Sequence, residues 1–345
     1  MPGQSDAQVL ATVFDIETCE MHTGGEPVRV ITAGYPRLAG RTLLEKRREA
    51  REHHDRLRRL LMREPRGHPD MYGALLVEPD HPEADLAVLF LQNEGYSTMC
   101  GHAVIALGRY AIDAGLVPAQ EPETRVNIQC PCGLVEARVQ VAGGRPGAVS
   151  FRSVPAFALH LSRLVETRDW GPLEIDVGFG GAFYALLPAE AIGLDVRHTP
   201  ASELARAGET ITQAVAVQLP IAHPDEADLG FLYGTILTDG RDAWSAEPSA
   251  NACVFAGRQV DRSPTGSGVT ARLAVQHRRR LIRLGQERIF ESVTGSRFAG
   301  RVVEETRAGA HAAVIVEVTG QAHYSGSARF RLEPDDPFPE GFLLG

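Results

Sequence analysis

Two short segments carry residue types suited to proton-transfer chemistry: Met99-Cys100-Gly101-His102 and Asp261-Arg262-Ser263-Pro264-Thr265-Gly266-Ser267-Gly268. Each sets a nucleophile-type side chain directly before glycine and at the start of an apolar run that reads as a helix. One carries a thiol and the other a hydroxyl. A helix amino terminus lowers a thiol pKa toward that of a usable base, whereas an unperturbed alcohol is too weak to act unaided. The pair therefore reads as a two-sided acid–base site with one side disarmed. Two helix amino termini facing one cleft would offer free N–H groups and two positive dipole ends, which suits a carboxylate. Gly101 and Gly266 let the backbone approach that anion closely. A carboxylate so held is a better electron sink when the adjacent carbon loses a proton. The expected chemistry is proton abstraction alpha to a carboxylate, with Cys100 as the base.

Each candidate also has a plainer reading. A free cysteine is commonly a small buried core residue, and Cys100 departs from that through its place between Met99 and Gly101-His102, just before an apolar helix. His102 either tunes the thiol, touches the substrate or caps the helix. Asp261 either closes its turn through local backbone hydrogen bonds or receives the ring ammonium of a cyclic amino acid. Glu26, His22 and His68 stand in glycine- or proline-containing loops and are further candidates to line a cleft. The five cysteines, Cys19, Cys100, Cys130, Cys132 and Cys253, are sparse and odd in number, as reduced thiols are. Cys130-Pro131-Cys132 has one intervening residue and no second pair, so structural cysteines are expected there and no metal site. Lys46 is the one lysine in the chain and lies in the charged run Glu45-Lys46-Arg47-Arg48-Glu49. A Schiff base to pyridoxal phosphate thus has no anchor, and no cofactor is expected.

Positioning these residues requires two buried helices. Residues 104–112 are apolar nearly all round, as are 269–275 before the basic run Arg278-Arg279-Arg280. A glycine pair precedes each, Gly24-Gly25 and Gly180-Gly181, and both the glycine pairs and the helix starts are separated by about 155 to 165 residues, as in a diverged duplication. Strand-like runs fall at 28–33, 74–78, 86–91, 126–129 and 134–141, then at 173–177, 183–187, 231–237, 288–292 and 312–318. Their close spacing favours a mixed or antiparallel sheet over a doubly wound one. One peripheral helix is expected over 42–62, opened by the Thr42-Leu43-Leu44-Glu45 capping box, with a solvated charged face over Leu43, Leu57, Leu60 and Leu61. Another is expected from Pro200 to about Ala207, stopping before Gly208.

At 345 residues and 43% hydrophobic content the chain should form two domains with ample core, divided as 1–155 and 156–324, with a tail at about 325–345 packing back on the first. A formal charge of -9 argues against nucleic acid or an anionic membrane as partner and leaves a small molecule. No run approaches the roughly 20 apolar residues of a membrane span, and the start lacks a basic region followed by an apolar one. A cytoplasmic location is the expectation, and a homodimer an open possibility.

Met21-His22-Thr23-Gly24-Gly25-Glu26-Pro27, Pro65-Arg66-Gly67-His68, Met99 to His102, residues 176–184, Asp261 to Gly268 and Glu291-Ser292-Val293-Thr294-Gly295 together resemble the proline racemase family along nearly the whole chain. The resemblance implies an α/β (α+β) fold of two pseudo-symmetric halves similar to diaminopimelate epimerase, each a curved mixed sheet around a central helix, with the site in the cleft between them. In the racemases and epimerases of that family the second motif carries a cysteine where this chain has Thr265. Inversion needs a group on each face of the alpha carbon, whereas β-elimination needs one base and a leaving group. The Cys100/Thr265 pairing thus resembles the dehydratase branch. It implies loss of water from trans-3-hydroxy-L-proline, a cyclic imino acid, to give a pyrroline-2-carboxylate without a cofactor. Cys100 would take the alpha proton, Thr265 would hydrogen-bond substrate or the departing hydroxyl, Gly101, His102, Gly266 and Ser267 would bind at the helix ends, and Asp261 would lie near the ring nitrogen. Residual racemase or 4-hydroxyproline epimerase activity through Thr265 is the alternative within the fold. A non-catalytic imino-acid-binding protein is the alternative of another class.

Overall fold

Alternating and continuously apolar runs of this chain become strands of one mixed sheet, seen in a computed structural model that describes residues 14–344. Among these residues eighteen strands join in a continuous hydrogen-bonded sheet. Five α-helices accompany it: α1 (Leu43–His53), α2 (Asp55–Met62), α3 (Gly101–Asp113), α4 (Ala201–Gln218) and α5 (Gly266–Arg278).

The pairing pattern is repeated along the chain. Glu26–Ala33 runs parallel to Tyr72–Val77, with α1 and α2 in the crossover, just as Phe183–Pro188 runs parallel to Leu232–Thr238 across α4. Leu86–Gln92 runs parallel to Glu123–Cys130 across α3, and Ser249–Phe255 to Glu287–Glu291 across α5. A parallel pair needs such a crossover, and a helix supplies it. Even the flanking strands correspond, since Phe14–Thr23 pairs with Ala322–Leu332 as Gly171–Phe179 pairs with Ala156–Thr167. The fold is therefore two pseudo-symmetric halves, joined where Arg145–Arg152 bonds to His311–Gly320.

Helices α3 and α5 are each wrapped by strands. Strands Phe14–Thr23, Gly133–Ala142 and Arg145–Arg152 surround α3, while Ala156–Thr167, Gly171–Phe179, Arg297–Ala308 and His311–Gly320 surround α5. Both helices are buried along most of their length, which explains why neither shows a polar stripe in sequence. Leu107 and Leu273 are fully enclosed, and both helices contribute to one hydrophobic cluster.

Three expectations are corrected. The helix expected over 42–62 is two helices, because His54 leaves helical geometry at φ -128° and ψ 11°. Its capping box does form, Thr42 accepting from the Glu45 N–H while the Glu45 carboxylate accepts from the Thr42 N–H. Its charged face is not simply solvated, since Lys46, Arg47 and Arg58 are buried. Lys46 donates to the Glu78 carbonyl at 2.7 Å, Arg47 to that of Tyr96 at 2.7 Å and Arg58 to that of Gln92 at 2.8 Å. Chain carbonyls and charged heads satisfy one another there. Finally, Gly208 does not stop α4, which continues to Gln218. A Cβ at Gly208 would fall 2.4 Å from the Cβ of Val254, so this glycine serves the approach of helix to strand and not a helix end. Among the described residues no helix is long and apolar enough to cross a membrane.

Candidate active site

The amino termini of α3 and α5 meet nearly head to head. A Cβ at Gly101 would lie 2.5 Å from the Cα of Gly266, and one at Gly266 would lie 2.7 Å from the Cα of Gly101. Any side chain at either position would force the helix starts apart, so glycine here permits helix-to-helix contact as well as close approach to an anion. The Phe151 ring packs beneath both, 3.1 Å and 3.2 Å from those hypothetical atoms. Thr23 fixes the start of α3 by donating its hydroxyl to the His102 carbonyl at 2.9 Å.

Around this junction lies a small cavity lined by Tyr72, Met99, Cys100, Gly101, His102, Tyr184, Tyr233, Phe255, Asp261, Thr265, Gly266 and Ser267. All seven residues singled out from the two motifs, Cys100, Gly101, His102, Asp261, Thr265, Gly266 and Ser267, are thus brought together. His22 and His68 are not among them. The His22 ring lies tilted against that of its cross-strand neighbour His323, centroids 5.3 Å apart, and the His68 ring bonds to the carbonyl of Pro69 at 2.7 Å. Glu26 is fully buried, accepting from the Arg262 N–H at 2.7 Å while its second oxygen has no partner among the described residues. Burial, then repulsion from Asp261, pushes the Glu26 carboxyl well above the usual range.

The two motif residues differ in more than chemistry. Cys100 is the N-cap of α3 in extended conformation, its sulfur accepting from the Ala103 N–H at 3.4 Å. Thr265 precedes α5 with φ +66° and ψ 90°, a left-handed setting that a β-branched residue adopts only under constraint. The constraint is visible: the Thr265 hydroxyl donates to Asp261 Oδ2 at 2.8 Å, the Ser263 hydroxyl accepts from the Thr265 N–H at 3.1 Å, and Asn251 donates to the Pro264 carbonyl at 3.2 Å. Asp261 also accepts from the Ser263 N–H at 2.7 Å through its other oxygen. Its turn-closing and site-lining roles are therefore both real, because one carboxylate does the first and faces the cavity as well.

The expected depression of the Cys100 pKa does not hold. Burial pushes the thiol well above its ordinary value and outweighs the Ala103 N–H and the Tyr72 hydroxyl, which act the other way. The thiol is protonated at neutral pH, and a proton acceptor stands beside it. His102 Nδ1 is 3.1 Å from the sulfur, and burial lowers the imidazole pKa so that the ring is neutral. A neutral imidazole at that distance can take the thiol proton as the base is called upon.

The tyrosines and Phe255 were not legible as site residues. They sit in apolar strand runs, where aromatic residues ordinarily mean core. Tyr233 stacks on Phe255 at 5.5 Å and meets Tyr184 edge-on at 5.7 Å, while the Tyr184 hydroxyl bonds to Ser267 Oγ at 2.7 Å. Their grouping exists only in three dimensions, where four strands bring three phenol rings and one phenyl ring to the same small cavity. Cys130 and Cys132 carry unpaired thiols.

Residues 18–343 match the family model described as "Proline racemase". The chain is 56% identical over 331 residues to a protein of Xenopus tropicalis named "Trans-L-3-hydroxyproline dehydratase", with 95% of each chain covered. It is also 56% identical over 334 residues to a protein of Homo sapiens named "Trans-3-hydroxy-L-proline dehydratase", covering 95% of this chain and 94% of that one. A solved hydroxyproline epimerase from Agrobacterium vitis with bound trans-4-hydroxy-L-proline superposes with a TM-score of 0.91 at 28% identity, covering 96% of this chain and 95% of the other. With a duplicated fold, two helix starts in contact and a match from residue 18 to residue 343, the chain belongs to the proline racemase family.

Proposed function

We propose that this chain is a cofactor-independent hydro-lyase that removes water from trans-3-hydroxy-L-proline to give Δ1-pyrroline-2-carboxylate. The observation that carries the reading is the unequal pair at the helix junction, a thiol on one side and on the other a hydroxyl already committed to Asp261. One competent base suffices for elimination and not for efficient inversion. The two relatives named as dehydratases support the same substrate class.

In this reading the substrate carboxylate lies at the two helix starts, against the backbone of Gly101, His102, Gly266 and Ser267. Asp261, held by Thr265 and the Ser263 N–H, receives the ring ammonium. Cys100 passes its own proton to His102 and takes the alpha proton, and charge developing on the substrate carboxylate meets the N–H groups already aimed there. The bond between C2 and C3 becomes double as the hydroxyl leaves, and the enamine tautomerises to the imine. Thr265 keeps Asp261 in place and offers only its oxygen lone pairs to the ligand. The same reading divides the chain at 155/156, with the segment from about 325 serving the first half, and the pairing of Ala322–Leu332 with Phe14–Thr23 supports it.

A product assay across proline, 4-hydroxyproline and trans-3-hydroxy-L-proline in deuterated water tests the proposal. Pyrroline-2-carboxylate formed from the 3-hydroxy compound alone is the expected result. Alpha-deuterium in recovered hydroxyproline of both configurations, without pyrroline, would instead establish the epimerase reading that the likeness to the Agrobacterium vitis structure favours.

A further inference from the structure

Proton abstraction accounts for one half of an elimination. The departing hydroxyl must also acquire a proton, because hydroxide is a poor leaving group from carbon. In trans-3-hydroxy-L-proline the carboxylate and the 3-hydroxyl lie on opposite faces of the ring, so the alpha hydrogen and the hydroxyl share a face. If the substrate assigned above is correct, on which this inference rests, the leaving group departs toward the side that holds Cys100. Thr265 and Asp261 stand on the other side, and the Thr265 proton is already given to Asp261.

The side that holds Cys100 carries hydroxyls of its own. Tyr72, the first residue of its strand, is 2% exposed and lines the cavity. Its hydroxyl lies against the Cys100 thiol and is bonded to Ser97 Oγ. Ser97 is fully buried in the two-residue strand Tyr96–Ser97 just before Cys100, and Tyr233 reaches both Ser97 and Tyr72. The Tyr72 ring is fixed edge-on to His102 at 4.8 Å and to Phe255 at 6.2 Å. A rigid hydroxyl beside the base, backed by a second hydroxyl, is the arrangement a syn elimination requires.

We propose that Tyr72 is a catalytic residue, the acid that protonates the departing 3-hydroxyl on the same ring face from which Cys100 removes the alpha proton. The Cys100 thiolate forms an S–H bond as the Cα–H bond breaks, and that electron pair becomes the C2–C3 π bond. The C3–O bond breaks with its pair on oxygen, which takes the Tyr72 proton and leaves as water. The tyrosinate then recovers a proton from the adjacent Cys100 S–H. Tyr72 is again a phenol and Cys100 again a thiolate, which regains its own proton from His102 at rest, and the proton lost from carbon equals the proton gained by water. Burial keeps the Tyr72 hydroxyl protonated until hydroxide-like charge develops beside it, and a phenol transfers its proton readily to that stronger base.

The test separates base from acid by changing the leaving group. Chloride needs no proton, so trans-3-chloro-L-proline should react through Cys100 alone. Tyr72→Phe should lower the dehydration rate of trans-3-hydroxy-L-proline by on the order of 100-fold or more beyond whatever it costs chloride elimination, which loses only the hydroxyl's support of the Cys100 thiolate. Equal losses on both compounds, or undiminished dehydration, would overturn the assignment. The unaltered protein gives an independent measurement: cis-3-hydroxy-L-proline places its hydroxyl on the opposite face and should react at least 100-fold more slowly than the trans compound, and comparable rates would sink the one-face geometry. Absence of any pyrroline from the trans compound with the unaltered protein would instead remove the underlying dehydratase reading.

Discussion

At the scale of single residues, the site turns on how burial redistributes protons. Cys100 is enclosed so fully that its helix-end position does not yield a resting thiolate, and the base must be unmasked through His102. Cys100→Ala should abolish turnover while binding of the planar analogue pyrrole-2-carboxylate, measured by calorimetry, stays within a few-fold. Substantial residual turnover would refute the base assignment. Thr265 tests the other side. Thr265→Cys places a thiol opposite Cys100, and proline incubated with it in deuterated water should show alpha-deuterium with inversion, which the unaltered protein should not produce. The backbone already holds position 265 at positive φ, so the exchange adds no new strain. A variant without inversion would mean that the two groups do not address opposite faces of one carbon.

Among the elements, glycines set the distances that matter. Gly101 and Gly266 bring α3 and α5 into contact, and Gly208 brings α4 onto the strand Ser249–Phe255, the strand that leads toward the Asp261 turn. Gly208→Ala gains about 1 kcal/mol of helix propensity but drives a methyl into the branched Val254. Overpacking of that kind costs about 1 to 3 kcal/mol. Because the obstructing atom is a Cβ and not the end of a flexible chain, the clash should win, leaving a net loss of about 1 kcal/mol in urea denaturation. Val254→Ala in the same background should recover part of it, and a stabilised Gly208→Ala would contradict this packing. In sequence Gly208 looked like a helix stop, because a glycine after an apolar helix reads the same whether it ends the helix or lets it pass close to a neighbour.

For the molecule as a whole, the two halves meet around a buried carboxyl that links stability to pH. Glu26 follows the Gly24-Gly25 turn of the first half and accepts from Arg262 in the second. Its folded-state pKa is raised above the reference 4.5, so the native state binds the proton more tightly than the unfolded chain. This contribution to stability is present below 4.5 and is lost as pH rises toward the native value. Glu26→Gln keeps an acceptor for the Arg262 N–H and cannot titrate. The stability difference between variant and unaltered protein should therefore shift in the variant's favour as urea midpoints are taken from pH 4.5 upward. A difference independent of pH would show that Glu26 does not carry the linkage.

The sequence by itself determined the chemistry-bearing motifs, the unequal Cys100 and Thr265, the duplicated order of elements and the position of most strands, because side-chain type and local periodicity are properties of adjacent residues. It also revealed the two central helices through their lack of a polar face. Only the tertiary structure decided that α3 and α5 touch at Gly101 and Gly266, that Thr265 is bound to Asp261, and that Cys100 is held protonated beside a neutral His102. Tyr72, Tyr184, Tyr233 and Phe255 were invisible as a group since they come from four separate strands, and strand periodicity cannot distinguish an aromatic core residue from one lining a cavity. Those features depend on burial and on distances between residues far apart in the chain, which are fixed only when the sheet closes around both helices.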